Sequence, residues 1–311
     1  MSSKPSGIAP LVVTGVAGFI GSALARRLLA EGFSVVGVDD LSTGRSSNIP
    51  SELDFVEGDI SRPSTFSMLP DKVGAILHLA GQSSGEISFD DPVRDLEKNT
   101  VSTLLLSEFA VRANAKRFVF ASSMSVYGST ADEAVKESDS LVPLSCYGVS
   151  KLAAENYLRI FSRRTPFVAL RMFNVYGPGQ DLTNLRQGMV SIYLAQALAS
   201  RRIVVKGDAT RYRDFIYIDD VVESWIRALT RDEVLNRCIN IGTGVRTEVG
   251  QLLEAITTLL PETKVEFAEG TVGDQFGIYA DTDEMTSRLG MGSFVTLDLG
   301  LSQFVNSIVD L

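Results

Sequence analysis

Short apolar runs alternate with helix-period stretches through the first two-thirds of the chain. The runs at 11–14, 35–38, 55–57, 75–79, 117–121 and 168–172 are apolar nearly throughout rather than at every second position, which marks strands covered on both faces. Between them, Ile20, Leu24 and Leu28 fall at i, i+4 and i+8 while Arg26, Arg27 and Glu31 are polar, and Gly32 stands where a helix stop is expected. Strand, helix, strand in regular succession predicts a doubly wound parallel α/β sheet. From about residue 175 the rhythm loosens, with Gly, Pro, Asn and Gln clustered at 174–188, and a smaller mixed α/β lobe is expected. On this reading residues 1–174 form the first domain, 213–244 return to it, and 175–311 mainly form the second.

Composition narrows the function classes. At 311 residues, 45% hydrophobic and 22% charged, the chain is long enough for one large domain or two interlocked ones, and it is neither disordered nor fibrous. Its 29 basic against 38 acidic residues give a net charge of −9, and no basic stripe offsets it, so no nucleic-acid partner is expected. Cys146 and Cys238 are too few for a disulfide framework, and with His78 the single histidine no metal site is expected. No apolar run approaches the roughly 20 residues of a membrane span. Gly15, Gly18 and Gly21 interrupt the stretch at 8–20 that imitates a signal peptide, so the expectation is a soluble, cytoplasmic protein with no membrane partner.

The first strand runs into TGVAGFIG at 14–21, with glycines at 15, 18 and 21, and a helix opens inside that string. A side chain at the turn would keep a pyrophosphate away from the amides at the helix N-terminus, and Gly21 lets the helix approach the sheet. The second strand ends at Asp39, 24 positions after Gly15, where a carboxylate accepts from an adenosine ribose diol and repels a 2′-phosphate. NAD is therefore expected rather than NADP, with Arg45 nearby arguing the other way. Asp59, after the third strand, is placed either to reach the adenine amino group or to close a turn. His78, in GAILHLAG, reads as a satisfied core histidine, with a catalytic role as the alternative.

Tyr147 and Lys151 stand four apart in CYGVSKLAAEN, so phenol and ammonium share one helix face. A tyrosine titrating near about 10 is a poor base at neutral pH, and an adjacent Lys⁺ together with a positive nicotinamide ring is expected to favour its phenolate. FASSMSVYG at 120–128 supplies hydroxyls to orient a substrate oxygen.

With these strings the chain resembles the extended short-chain dehydrogenase/reductases, and among them the nucleotide-sugar 4-epimerases of the UDP-glucose type. TGVAGFIG, VDDLSTG, EGDI, LHLAGQ, ASSMSVYG, YGVSK, RMFNVYGPGQ, RDFIYIDDV and NIGTG carry the likeness over nearly the whole length. It implies a Rossmann-like domain holding NAD through Gly15, Gly18, Phe19, Ile20, Gly21, Asp39, Ser42, Thr43, Gly44, Asp59, Ile60, Leu79, Ala80, Gly81, Gln82, Asn99, Tyr147 and Lys151. It places the catalytic hydroxyl at Ser123, with Ser122 and Ser125 as alternatives, Tyr147 as base and Lys151 as its partner. The nucleotide sugar would meet Ser83, Ser123, Met124, Ser125, Tyr147, Asn174 and Arg213, the last two at its diphosphate. A solvated-face Arg213 is the alternative, discounted because FIYI and a helix-capping Asp219 follow.

Dehydratases of this group carry Asp-Glu after the catalytic hydroxyl; Met124 and Ser125 occupy those places here. Val16 stands where the family often has Gly, Cys146 where it has Pro, and Thr271 where a second phosphate-binding arginine is expected. The implied reaction is inversion at C4 of a UDP-hexose through a 4-keto sugar. A 4-keto reductase, a decarboxylase or an epimerase at another carbon is the alternative, and a non-catalytic dinucleotide sensor a further one. The resemblance also implies a homodimer paired through segments 92–113 and 149–163, although Leu104, Leu105, Phe109, Leu152, Tyr157 and Leu158 could equally be buried against their own sheet.

Overall fold

A computed structural model of the chain describes residues 9–270 and 276–309. Its first half builds β1 (Leu11–Thr14), α1 (Phe19–Ala30), β2 (Val35–Asp39), β3 (Asp54–Glu57), β4 (Ala75–His78), α2 (Pro92–Leu96), α3 (Ser102–Arg112), β5 (Phe118–Ser123), α4 (Cys146–Phe161) and β6 (Phe167–Met172). The second half adds β7 (Asn174–Tyr176), α5 (Met189–Ser200), β8 (Arg202–Lys206), β9 (Tyr212–Arg213), β10 (Phe215–Tyr217) and α6 (Ile218–Thr230). It ends with β11 (Arg237–Ile241), β12 (Thr247–Glu248), α7 (Val249–Leu259), β13 (Lys264–Ala268) and α8 (Leu297–Val309).

Among the described residues seven strands form one parallel sheet in the order β11-β6-β5-β4-β1-β2-β3. All six runs read as strands lie in it, within a residue or two at each end. The central strands are buried from end to end, so their uniform apolarity follows from helices covering both faces. One core layer packs α1 and α6 against one face, with Leu24, Leu28, Trp225 and Ile239 fully buried. The other packs α3 and α4 through Leu106, Phe109, Ala154 and Leu158. Short strand pairs outside the main sheet, β10 with β7, β12 with β9 and β13 with β8, build the region after residue 173. Among the described residues no helix is long and apolar enough to cross a membrane.

His78 is fully buried in β4, its ring nitrogens 2.8 Å from Thr14 Oγ1 and 3.0 Å from Thr103 Oγ1. Burial holds it neutral, the satisfied core histidine that its apolar neighbours suggest. Asp219 does not cap α6. The residue at the mouth of α6 is Tyr217, no side chain caps that helix, and Asp219 lies in the first turn, where it faces the positive end of the helix dipole. Asp214, at the close of RYRD, accepts from the amides of Thr243, Gly244 and Ala280 at 2.8, 2.9 and 3.1 Å and so pins the NIGTG loop.

One buried ion pair joins a helix to two strands of the sheet. Glu155 on α4 accepts from Arg171 on β6 at 2.9 and 2.8 Å and from Ser122 Oγ on β5 at 2.6 Å. Both charges are essentially out of water, at 0% and 1% exposed. Burial by itself raises the Glu155 carboxyl, but its bonds to Arg171 and Ser122 bring it below the ordinary carboxylate value.

Replacing Glu155 by Gln leaves the Arg171 guanidinium buried without its countercharge. The expected cost is about 3–5 kcal/mol, read by calorimetry as a fall of about 5–10 °C in the thermal midpoint. A depressed carboxyl contributes stability above its unfolded value, about 4.3, and loses it as the pH falls through the folded value. The gap between wild type and variant therefore narrows below about pH 4.

Candidate active site

A cleft of about 570 Å³ opens where the chain leaves β1, β2 and β4 at their C-terminal ends. This is the switch point of a doubly wound sheet, since β1 has β2 on one side and β4 on the other. Gly15 holds φ +73°, and a Cβ there would lie 2.6 Å from the Ala80 amide nitrogen. At Gly21 a Cβ would lie 2.0 Å from the Gly15 carbonyl oxygen, so the helix touches the turn backbone to backbone. The residue at the mouth of α1 is Gly18 in an extended conformation, with no side chain capping the first turn. That leaves a bare cradle and a positive helix end, which fit a dinucleotide diphosphate.

Gly15, Gly18, Phe19, Ile20 and Gly21 line this cradle, and Leu79, Ala80, Gly81, Gln82 and Ser83 line the facing wall. Asp39, Ser42, Thr43, Gly44, Asp59 and Ile60 line the far end, and Tyr147 and Lys151 the near one. Asn99 lies behind that wall, fully buried, its Oδ1 accepting no bond among the described residues and sitting 2.4 Å from where a Gly81 Cβ would be.

The far end is acidic and tied together. Asp39 accepts from the amides of Ala17 and Leu41, both at 2.9 Å, and each carboxylate oxygen keeps capacity for a further donor. Asp59 has two roles in the structure. It lines the cleft, and it closes a turn by accepting from the amide and hydroxyl of Ser61 at 2.9 and 2.7 Å. Lys98, which no motif singles out, reaches Asp40 at 2.6 Å and Asp59 at 2.9 Å. Arg45 donates to Asp181 at 2.7 Å and to Thr183 at 3.0 Å, so it is committed to the loop across the cleft.

At the near end two elements bring the chemistry together. Ser145 caps α4, accepting from the Gly148 amide at 3.1 Å, and Cys146 takes the first helical position. Tyr147 and Lys151 follow one turn apart, both buried. Successive side chains of β5 point to opposite faces: Ser122 is spent on Glu155, whereas Ser123 hydrogen-bonds Tyr147. That removes Ser122 as an alternative to Ser123. Ser125 stays in the cluster, its Oγ accepting from Ser123 at 3.2 Å.

The electrostatics differ from the sequence expectation. Burial pushes the Tyr147 phenol up to about 12, with the Ser123 bond opposing, and it pushes the Lys151 ammonium down to about 8, with Asp95 opposing. Lys151 Nζ stands 5.7 Å from the Tyr147 ring centroid and 4.9 Å from that of Phe120. In the protein alone, then, desolvation is the largest influence on both groups.

Of the residues expected at the sugar nucleotide, Ser83 and Tyr147 line the cleft, and Asn174 approaches Met124 beyond Ser123. Asn174 Nδ2 lies 3.6 Å from Met124 Sδ and donates to the Asp214 carbonyl at 3.1 Å. Arg213 is no solvated arginine: it is 3% exposed in β9 and donates to the carbonyls of Tyr212 and Phe276 at 2.8 and 3.2 Å. Thr271 lies outside the described residues. The cleft is also lined by Gln180, Leu182, Asn184 and Gln187 and, from α8, by Phe304, Ser307 and Ile308. The Gly-Pro-Gly string hinted at that loop; nothing in the local sequence pointed to α8.

The chain matches the model of the NAD dependent epimerase/dehydratase family over residues 11–242. It is 36% identical to a UDP-glucose 4-epimerase of Mycolicibacterium smegmatis, across 94% of this chain and 96% of that protein. Its fold is similar to the crystal structure of the Thermotoga maritima UDP-glucose 4-epimerase with UDP-glucose. The TM-score is 0.92 at 31% identity, covering 97% of this chain and 99% of the other. The Thermus thermophilus UDP-glucose 4-epimerase, solved with NAD, gives 0.86 at 29%, covering 95% and 99%.

A methyl group at the glycine turn tests the cradle. Gly15→Ala is expected to weaken NAD binding at least tenfold in isothermal titration, because the Ala80 amide cannot retreat without moving β4.

Proposed function

Because the chain belongs to the NAD dependent epimerase/dehydratase family, we propose that it inverts C4 of a UDP-hexose through a transient 4-keto sugar. One observation carries this reading: Ser123, Tyr147 and Lys151 converge from β5 and α4 at one end of a cleft whose other end is a glycine cradle. Gly15, Gly18 and the first turn of α1 would hold the cofactor's diphosphate, Asp39 its adenosine ribose, and Asp59 its adenine edge. Bound NAD supplies a hydride acceptor and, on the return, a donor, so the reaction is redox-neutral.

The protein's own part is positioning and proton handling. Tyr147 takes the C4 hydroxyl proton and returns it after the sugar has turned. Ser123 keeps the C4 oxygen in reach of the phenol. Lys151 holds a positive charge one helical turn away. Asn174 and Arg213 anchor the UDP diphosphate while the ring reverses. Met124 and Ser125, following Ser123, offer no acid for eliminating water, which favours epimerisation over dehydration. Residues 1–174, with 213–244, would serve the cofactor, and 175–311 mainly the sugar nucleotide.

We place the enzyme in the cytoplasm, as a homodimer. Both helical segments expected to pair expose apolar side chains: Val93 and Leu96 on α2, Val149, Tyr157 and Ile160 on α4. Phe109 and Leu158, by contrast, are buried in the chain's own core. Ile160, 72% exposed, is the first to change: light scattering should give twice the chain mass for wild type and the single chain mass for Ile160→Asp with Val149→Asp.

The activity test needs no added cofactor. Purified protein is incubated with UDP-glucose, then UDP-N-acetylglucosamine, and the anomeric protons are followed by NMR. The 4-epimer is expected to appear, and Tyr147→Phe to lower kcat by about 10²–10⁴ with KM little changed. Stoichiometric consumption of added NADH would instead identify a reductase.

A further inference from the structure

Lys151 is buried, and among the described residues it forms no direct ion pair. The groups around it are few. Its own helix contributes Tyr147, β4 contributes neutral His78, and β5 contributes the face of Phe120 at 4.9 Å. The helical run from α2 into α3 contributes Asp95 and, within a π-helical turn over Glu97–Val101, Asn99. Asp95 is the carboxylate that acts on Lys151, since Glu155, one turn further along α4, is paired with Arg171.

Asp95 is 1% exposed, and both its oxygens are engaged. Oδ2 accepts from Ser150 Oγ at 2.6 Å and Oδ1 from Asn99 Nδ2 at 3.0 Å. The Ser150 carbonyl in turn accepts from Thr100 Oγ1 at 2.9 Å. So the residue immediately before Lys151 is gripped twice, once through its side chain and once through its backbone. Asn99, gripped by the same carboxylate, stands beside Gly81, where a built Cβ would lie 3.5 Å from Lys151 Nζ.

We infer that Asp95 is a positioning residue for Lys151, fixing its helix through Ser150 and the neighbouring Asn99 amide, and serving as the countercharge for its ammonium. The placement has a reason. A carboxylate in direct contact would consume ammonium donors, whereas one already satisfied by Ser150 and Asn99 lends its field and leaves the three N–H bonds free. The inference rests on the reading of Lys151 as part of the catalytic set, but its test does not.

Cyanate carbamylates only the neutral amine, so the rate at Lys151 against pH, quantified by peptide mass spectrometry on the full chain, reports its titration midpoint. Asp95→Asn keeps an acceptor for Ser150 and removes the charge. A cation that loses an anionic neighbour discharges at lower pH. The midpoint should therefore fall by about one unit, with roughly fivefold more modification at pH 7. Ser150→Ala keeps the charge and should leave the midpoint in place. Asp95→Ser is read in the same way as Asp95→Asn should the amide not fold, as judged by circular dichroism. An unmoved midpoint in the folded Asp95 variant would overturn the inference. An equal shift in Ser150→Ala would overturn it too, since packing and not charge would then be the cause. Where UDP-glucose is epimerised, the alkaline limb of kcat should move down with the midpoint. Absence of epimerisation would sink the proposed activity and leave the titration readable.

Discussion

The height of helix α4 against strand β5 decides whether this site exists, and the Glu155–Arg171 pair sets that height. Tyr147 and Lys151 come from the helix and Ser123 from the strand, so a slip of one turn, about 5.4 Å, would part the phenol from the hydroxyl. Glu155 lies two turns beyond Tyr147 and bonds Ser122, the neighbour of Ser123, as well as Arg171 on the next strand. Arg171 continues to Tyr127 at 3.0 Å, and Tyr127 Oη donates to Asn240 on β11 at 2.6 Å. The register is thus carried from helix through three neighbouring strands by buried groups bonded to one another. A hydrophobic pair of similar volume could match its stability, but it would not distinguish one register from the next.

What the sequence makes legible follows from how local its cause is. A strand buried on both faces is apolar at most positions, so six strands of the sheet can be read from their runs, whereas β11, with Arg237 and Asn240, breaks the pattern. A glycine turn that no side chain can enter is equally local, and Gly15, Gly18 and Gly21 all line the cleft. Tyr147 and Lys151 are one helical turn apart, a spacing that needs only the helix to form. Asp39 sits at the end of its strand for the same kind of reason.

The rest depends on what arrives from elsewhere in the chain. Lys98 matters because Asp40 and Asp59 end different strands and meet at its ammonium. Phe304, Ser307 and Ile308 reach the cleft from the last helix, more than 280 residues after Gly15. Arg213 gives no local sign of being buried, because the Phe276 carbonyl that receives it belongs to another segment. The sequence also shows Lys151 beside Tyr147 without showing that both are out of water, and burial reverses the direction of the phenol's shift.

The same distinction bears on the segment between residues 92 and 112. Consecutive residues on a helix point roughly 100° apart, and this segment uses the difference between Lys98 and Asn99. Lys98 turns outward to bridge the two carboxylates at the far end of the cleft, while Asn99 turns inward beneath Gly81, held by Asp95. A π-helical turn occupies that place, where an ordinary helix would continue from α2 into α3. One element thereby supplies a cation where the cleft is crowded with carboxylates and an anion where it holds a buried lysine. Its position alongside α4 lets both ends of a cleft in a chain of net charge −9 be balanced without a charged side chain crossing the space between them.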